Sequence, residues 1–243
     1  MTEQNLFKPI DSTSIYNDHI GRVTLYDASH ANESEEQRIY TVTTIASLAY
    51  GNESAKNPEA LYERMKSIKH ESLWEFIRDG VPYDCGIEGS MRCRNYVDYE
   101  VSLEHSSNIA CFKIKTPIFV ARQFMRHRSF SYLEMSRRYT KDSKVPFEFW
   151  HPVKLESNNI FDKGCMDLYS GLVSQGVHTQ VASRFLPQTT YTEFYMMGEV
   201  EGLRNFFRLR LDEHAQEEIR EVARAMADLL QNNQYELYTK VVK

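Results

Sequence analysis

Long apolar runs are missing from this chain. The longest, such as residues 118–121, fall far short of the roughly 20 residues a membrane-spanning helix needs, so no span is expected. The first twenty residues, MTEQNLFKPIDSTSIYNDHI, carry acids and no apolar core segment, which leaves no secretory signal and makes the cytoplasm the expected location. Cysteine is scarce: Cys85, Cys93, Cys111 and Cys165 form no C-x-x-C pair and lie in no nucleophile motif, so inert thiols are expected rather than a disulfide framework. An excess of basic charge is absent as well. With 29 Lys and Arg against 34 Asp and Glu the net charge is -5, which speaks against a general nucleic-acid coat, whose binding rests on neutralising phosphates. No internal repeat, low-complexity tract or Ser/Gly linker marks a boundary. At 243 residues and 42% hydrophobic content, one domain over 1–243 is the simplest organisation. Motifs are missing too: no G-x-G-x-x-G, no G-x-x-x-x-G-K-[ST], no G-x-S-x-G and no H-E-x-x-H, which leaves a Rossmann site, a P-loop, a serine-hydrolase elbow and zincin chemistry unsupported. No metal site is expected.

What is present reads as mixed α and β without the regular alternation of a doubly wound fold. Residues 21–29, 109–115 and 189–197 have strand character, the last from the β-branched and aromatic TTYTEFYMM. Helical periodicity places Ile39, Val42, Ile45 and Leu48 on one face of a helix over 32–50, opening at an N-cap residue. A second helix from Pro58 turns Leu61, Met65 and Ile68 inward. After the strand at 109–115, Thr116 as cap and Pro117 at the first helical position predict a helix that delivers Arg126, His127 and Arg128 at its C-terminal end. A long helix from 158 or 159, irregular near Gly176 and ending at 185–187, buries Cys165, Leu168, Tyr169 and Leu172. The last third is helical again, with Ile219, Val222, Met226 and Leu229 on one face of a helix over 212–233. Residues 77–104 mix turn formers, charges and short alternating pieces and read as an excursion.

Chemistry concentrates in RHRSFSYLEMSRRY, residues 126–139. Between Arg122 and Arg138 there are five arginines and no lysine, with Ser129, Ser131 and Ser136 among them. Arginine is permanently charged and pairs bidentately with phosphate or carboxylate. One charge-assisted hydrogen bond contributes about 1.5–3 kcal/mol, so two or three arginines would hold a phosphate monoester firmly. A solvated charged face is the plainer alternative, but Phe130, Tyr132, Leu133 and Met135 in the same stretch suggest a part-buried wall. Glu134 can orient an arginine or accept from a ring donor. KHESLWEF at 69–76 gathers His70, Glu71, Ser72 and Glu75 near a helix end, where His70 can equally cap carbonyls. LRNFFRLRLDEHAQEEI carries Arg204, Asn205, Arg208, Arg210 and His214; helical spacing puts Arg210 and His214 on one stripe.

The spacing R-H-R-x7-S, from Arg126, His127 and Arg128 to Ser136, resembles the signature of the flavin-dependent thymidylate synthases, the ThyX family. The flanks agree, in PIFVARQFMRHR and in Glu134, Ser136, Arg138 and Tyr139. So do HES at 70–72, LPQTTYTEFY at 186–195 and NFFRLRLDEHAQEEI at 205–219. The resemblance implies a single α/β domain with a central, mostly antiparallel sheet flanked by helices, interrupted by an insertion at about 77–104. It also implies a homotetramer with shared active sites. The implied reaction is reductive methylation of dUMP to dTMP, with 5,10-methylenetetrahydrofolate as carbon donor and FAD reduced by NADPH as hydride source. By the same resemblance Gln123, Arg126, Glu134, Ser136, Arg137, Arg138, Arg184 and Arg210 would surround dUMP, with Arg210 as the catalytic cation against the pyrimidine. His70, Ser72, Glu75, Arg126, His127, Arg128, Glu134, Asn205 and His214 would serve FAD. Two departures stand out: Ser183 occupies the position, four residues before Pro187, where the family usually has arginine, with Arg184 one place later; and either Glu75 or Glu104 could be the flavin-side carboxylate. The rival readings are a nucleic-acid-binding module built on 122–138 and a flavin-free nucleotide phosphohydrolase.

Overall fold

A computed structural model describes residues 7, 9–26, 34–68, 70–74, 76, 109–140, 143–152, 159–233 and 236–242. The insertion expected at 77–104, Glu75 and Glu104 lie outside these residues. Five strands form one sheet: β1 (Pro9–Ser14), β2 (Arg22–Tyr26), β3 (Ile109–Pro117), β4 (Phe130–Glu134) and β5 (Tyr191–Glu199). The order is β1-β2-β3-β5-β4 and every neighbouring pair is antiparallel. The helices are α1 (Glu35–Ala49), α2 (Pro58–Ser67), α3 (Glu71–Trp74), α4 (Ile118–Phe124), α5 (Asn159–Ser174), α6 (Thr179–Ala182), α7 (Val200–Arg210), α8 (Glu217–Asn232) and α9 (Glu236–Val241), with a 3₁₀ turn at Ser183–Phe185.

Strand alternation explains why the sheet is buried on both sides. Ala110, Phe112 and Ile114 of β3, with Phe194 and Met196 of β5, face a core built with Phe124 of α4, Phe206 of α7 and Val222 and Met226 of α8. Ile109, Cys111, Tyr195 and Met197 face the opposite way, toward Val42 and Ile45 of α1, Met65 of α2 and Trp74 of α3. A sheet between two helical layers needs apolar residues at nearly every central position, as β3 and β5 have. Cys111 is wholly buried and burial pushes its thiol well above the usual range, as expected of an inert group.

Local chemistry sets the helix starts. Ser34 accepts from the Gln37 amide at 3.2 Å ahead of Glu35 and Glu36, so α1 begins at Glu35 and not at 32. Asn57 caps α2 at the Ala60 amide, with Pro58 at the first position as expected. Val42, Ile45 and Leu48 are buried, as are Ile219, Val222, Met226 and Leu229.

Several expectations are corrected. Thr116 does not cap α4: it ends deep in β3, its hydroxyl 2.6 Å from that of Tyr16, and α4 starts without a side-chain cap. The helix stops at Phe124, so Arg126, His127 and Arg128 follow it on a loop. Ile68 is 54% exposed, because α2 ends before it. The long helix expected over 158–187 breaks at Gly176, whose φ of 85° lies in the left-handed region, and resumes as α6 and the 3₁₀ turn. Of its expected inward residues only Tyr169 is buried, while Leu168 is 47% exposed. The final long helix starts at Glu217 rather than 212, which leaves 212–216 in a turn.

Candidate functional site

The arginine-rich segment leaves α4 as a tight loop and becomes the edge strand β4. His127 donates its amide to the Phe124 carbonyl at 2.8 Å, which closes the loop. Along β4, Phe130 and Tyr132 point into the layer formed by α4 and α7, whereas Leu133 points to the α1 layer. Glu134 shares the side of Phe130 and Tyr132. The Tyr132 hydroxyl donates to the Phe124 carbonyl at 2.7 Å, with the His127 carbonyl 3.2 Å away, and so ties strand to loop. Arg126 and Arg128 are exposed and make no hydrogen bond or ion pair with another described residue.

Arg210 ends α7 and reaches this loop. Its Nε donates to His127 Nε2 at 2.9 Å, and its two Nη atoms approach Gln123 Oε1 at 3.5 Å and the Gln123 carbonyl at 3.4 Å. Gln123 in turn donates to Gln216 Oε1 at 2.6 Å. Burial and the neighbouring Arg126 charge hold Arg210 below its ordinary value, so the pair of arginines stands in need of a counter-anion. His127 is buried, at 7% exposure, between Phe206 and Phe130. Burial first, then Arg210 and Arg126, lower its pKa to about 4.

Glu134 and Ser136 line a cleft of about 310 Å³ together with Arg137, Ser183, Leu186 and Thr192. Glu134 Oε1 accepts from the Thr192 hydroxyl at 2.6 Å. Glu134 keeps an exposed face in this cleft, yet the surrounding protein removes enough water to raise its carboxyl, an effect the Thr192 bond opposes. The Ser136 amide donates to the Ala49 carbonyl at the end of α1 at 3.2 Å, and Ser136 accepts from the amides of Tyr139 and Thr140. Arg137 donates to the Val145 carbonyl at 2.6 Å and lies over the Phe147 ring at 4.2 Å, so one of its edges is given to the protein. Arg138 is exposed beside Tyr139.

The other expected residues spread more widely. His70 Nδ1 and Ser72 Oγ are 3.2 Å apart beside α3, which packs with α1 on the far face of the sheet from Arg210. Asn205 is exposed and accepts from Arg208 at 2.9 Å. His214 is exposed in the 212–216 turn and bonded to Asp212, so the stripe expected to pair it with Arg210 is not formed, because α7 has already ended. Arg184 is exposed outside the cleft; Ser183 lines it instead. Thr192, Gln216 and Tyr132 were not legible as partners of the expected residues. Thr192 sits two places before Phe194 on one strand face, but its pairing with Glu134 needs the β4–β5 register, which sequence does not state. Among the described residues no group of three or more His, Cys, Asp and Glu could hold a metal ion, and no helix is long and apolar enough to cross a membrane.

Residues 28–233 match the profile of a family described as thymidylate synthase complementing protein. The chain belongs to that family, the flavin-dependent thymidylate synthases. Among curated relatives it is similar to the flavin-dependent thymidylate synthase of Thermotoga neapolitana, 33% identical over 180 residues that cover 66% of this chain and 82% of the relative. That of Thermosipho melanesiensis is 32% identical over 177 residues, 61% of this chain and 76% of the relative. The Aquifex aeolicus enzyme is 31% identical over 194 residues, 69% of this chain and 60% of the relative. The matched span includes the Arg210 cluster, the Glu134 cleft and the His70 pair. Membership makes this chain an enzyme of thymidylate synthesis with a flavin cofactor and small-molecule substrates.

Proposed function

We propose that the chain methylates dUMP to dTMP reductively, with 5,10-methylenetetrahydrofolate as carbon donor and FAD, recharged by NADPH, as hydride source. The observation that carries this reading is the Arg210 cluster: a partly buried guanidinium held at its Nε by a neutral imidazole, beside the uncompensated Arg126 and adjoining loop residues of the R-H-R-x7-S motif. A fixed cation in such a place stabilises negative charge that develops on a pyrimidine ring, favouring ionisation at N3 and polarising the ring for attack. It needs no cysteine nucleophile, and Cys111, with its raised thiol, is unsuited to be one.

Glu134, Ser136 and Arg137 in the cleft, with the exposed Arg138 next in the chain, supply the acceptor, hydroxyl and charges that a nucleotide monophosphate requires. Gln123 and Arg126 stand with Arg210. Ser183 supplies the hydroxyl at the wall, while Arg184 stays outside the cleft. For the flavin, the residues present fit a dinucleotide. Arg126 and Arg128 are exposed cations without described partners that suit its two phosphates, and His70, Ser72, Asn205 and His214 offer polar groups for its rings and ribityl chain. When bound, the flavin supplies the hydride that completes the methyl group. His70 and Arg210 lie on opposite faces beside the edge strand β4, an arrangement suited to sites completed between copies in a homotetramer.

The test is the release of tritium from 5-tritiated dUMP by purified protein, with FAD, NADPH and methylenetetrahydrofolate present or omitted singly. Release that depends on all of them is expected. Protein that remains colourless with added FAD and releases no tritium refutes the reading.

A further inference from the structure

His127 belongs to the motif segment, but its ring is turned away from the surface. Exposed Arg126 and Arg128 flank it, while its own side chain is buried in edge-to-face contact with Phe206, at 5.1 Å between ring centres, and Phe130, at 6.3 Å. An imidazole so enclosed does not offer its nitrogens to a ligand in the loop's solvent face. One nitrogen is already engaged, since Nε2 lies 2.9 Å from Arg210 Nε.

The direction of that hydrogen bond is fixed by chemistry. A guanidinium nitrogen only donates, so Nε2 must be the bare, accepting nitrogen, and the proton of neutral imidazole must sit on Nδ1. Arg210 is thus held along one edge by a short bond. Among the described residues its other end has only two long contacts, to Gln123, at 3.4 and 3.5 Å. Bonds of that length are weak and readily exchanged for a ligand's acceptors, whereas the Nε bond has ordinary length. Gln123 is itself fastened to Gln216 at 2.6 Å, at the start of α8, so the weak end is bordered by a defined carbonyl rather than a mobile chain.

We infer that His127 is a positioning residue for Arg210: as the Nδ1-protonated tautomer it accepts from the Nε edge and leaves the Nη edge of the guanidinium to the substrate. This rests on the reading that Arg210 acts on the pyrimidine, and it gives His127 a task inside the protein rather than at the flavin surface. The edge-to-face contacts with Phe206 and Phe130 fix the ring plane, and through it the plane of the guanidinium. The charged groups facing the imidazole are Arg210 from α7 and Arg126 from the loop, and both oppose a second proton on the ring. The accepting form is therefore the resident one at neutral pH.

Two replacements and one spectrum test the inference. His127→Gln keeps an acceptor oxygen near the place of Nε2. His127→Phe keeps the ring and its edge contacts but removes the acceptor. The inference expects the Phe variant to lose kcat by about 10- to 100-fold with little change in KM for dUMP, because misplacing a catalytic group costs on that order. The Gln variant should recover the larger part. If the ring only packs, Phe serves at least as well as Gln; that order, or equal loss in both, overturns the inference. Separately from turnover, nitrogen-15 spectra of histidine-labelled protein, with the His127 signals assigned in the unmodified protein by their through-space contacts to the Phe206 and Phe130 rings, should show protonated Nδ1 and bare Nε2 at neutral pH. A protonated Nε2 overturns the inference even if both variants fail to fold. Absence of tritium release from the unmodified enzyme would instead refute the reading of the reaction, while the spectrum still decides the Arg210–His127 contact.

Discussion

Arg210 Nε donates to His127 Nε2 across 2.9 Å, joining the last turn of α7 to the loop that follows α4. Because a planar fork is held by one edge, substitution by lysine does not preserve the arrangement: an ammonium has no second edge to present. Arg210→Lys and Arg210→Ala should both reduce kcat for tritium release by about 100-fold or more. Thermal midpoints should stay near that of the unmodified protein, since Arg210 is only partly buried. Steady-state kinetics and thermal melts check this, and a Lys variant with near-normal kcat refutes the role assigned to the fork.

The burial of His127, and after it the Arg210 and Arg126 charges, makes stability depend on pH. His127 has a folded pKa of about 4 against an ordinary 6.5, so between these values the unfolded chain binds a proton that the folded one refuses. Stability therefore falls as pH drops from about 6.5 toward 4 and this contribution levels off below. Arg210 and Arg126 stay charged throughout and do not reverse the sign. Over this range the thermal midpoint of the unmodified protein should fall relative to that of His127→Phe as pH drops, because phenylalanine takes up no proton. A constant difference between them refutes the linkage.

In the cleft, Thr192 donates to Glu134 at 2.6 Å and opposes the rise that burial imposes on the carboxyl. Thr192→Val removes the donor and should raise that carboxyl further, since a hydrogen bond to the charged form favours it. Binding of dUMP that requires the carboxylate should then fail at a higher pH than in the unmodified enzyme as acid is added. Calorimetric titration with dUMP across the acid range checks the direction of the displacement.

Ser183 lines the cleft while Arg184 is exposed outside it. Ser183→Arg should place a guanidinium at the wall beside Ser136 and lower the KM for dUMP, by up to about tenfold for one added charge-assisted bond. Arg184→Ala should raise that KM less than Ser136→Ala does. Initial-rate measurements over dUMP concentration decide both comparisons.

The sequence carried the helices whose apolar faces meet a core, such as α8, and the strands β3 and β5, whose dense apolar and β-branched residues match burial on both faces. It did not carry β1, whose PIDSTS is mostly exposed and has no alternation to read. Nor did it carry β4, where FSYLE is surrounded by arginines that drew attention to charge and away from the pleat. That strand depends on pairing with β5, some sixty residues later. The site followed the same division. Arg210, Gln123 and His127 are brought together, although the resemblance put His127 with the flavin residues and the other two with the nucleotide; their mutual bonds are set by how α7 packs on α4, which no local spacing encodes. The expected stripe of Arg210 and His214 failed for a local reason, since α7 stops at Arg210.

One prediction ties the sheet to the arginine loop. Gly198 of β5 stands opposite Phe130 of β4 in the strand register, and a Cβ at that glycine would drive into the Phe130 ring. The ring lies over the bare backbone there, and it also borders His127 and Phe206. Gly198→Ala must displace Phe130, because the strand backbone is paired on both sides, by β3 and β4, and cannot retreat. Overpacking of this kind costs about 1–3 kcal/mol. Denaturant unfolding should show a loss of that size. The displaced ring should also disturb the His127 imidazole, so the nitrogen-15 signals of His127 should move in Gly198→Ala even under conditions where the variant is fully folded. Unchanged stability and unchanged His127 signals would mean that the edge strand yields freely, and that the loop is not held through Phe130.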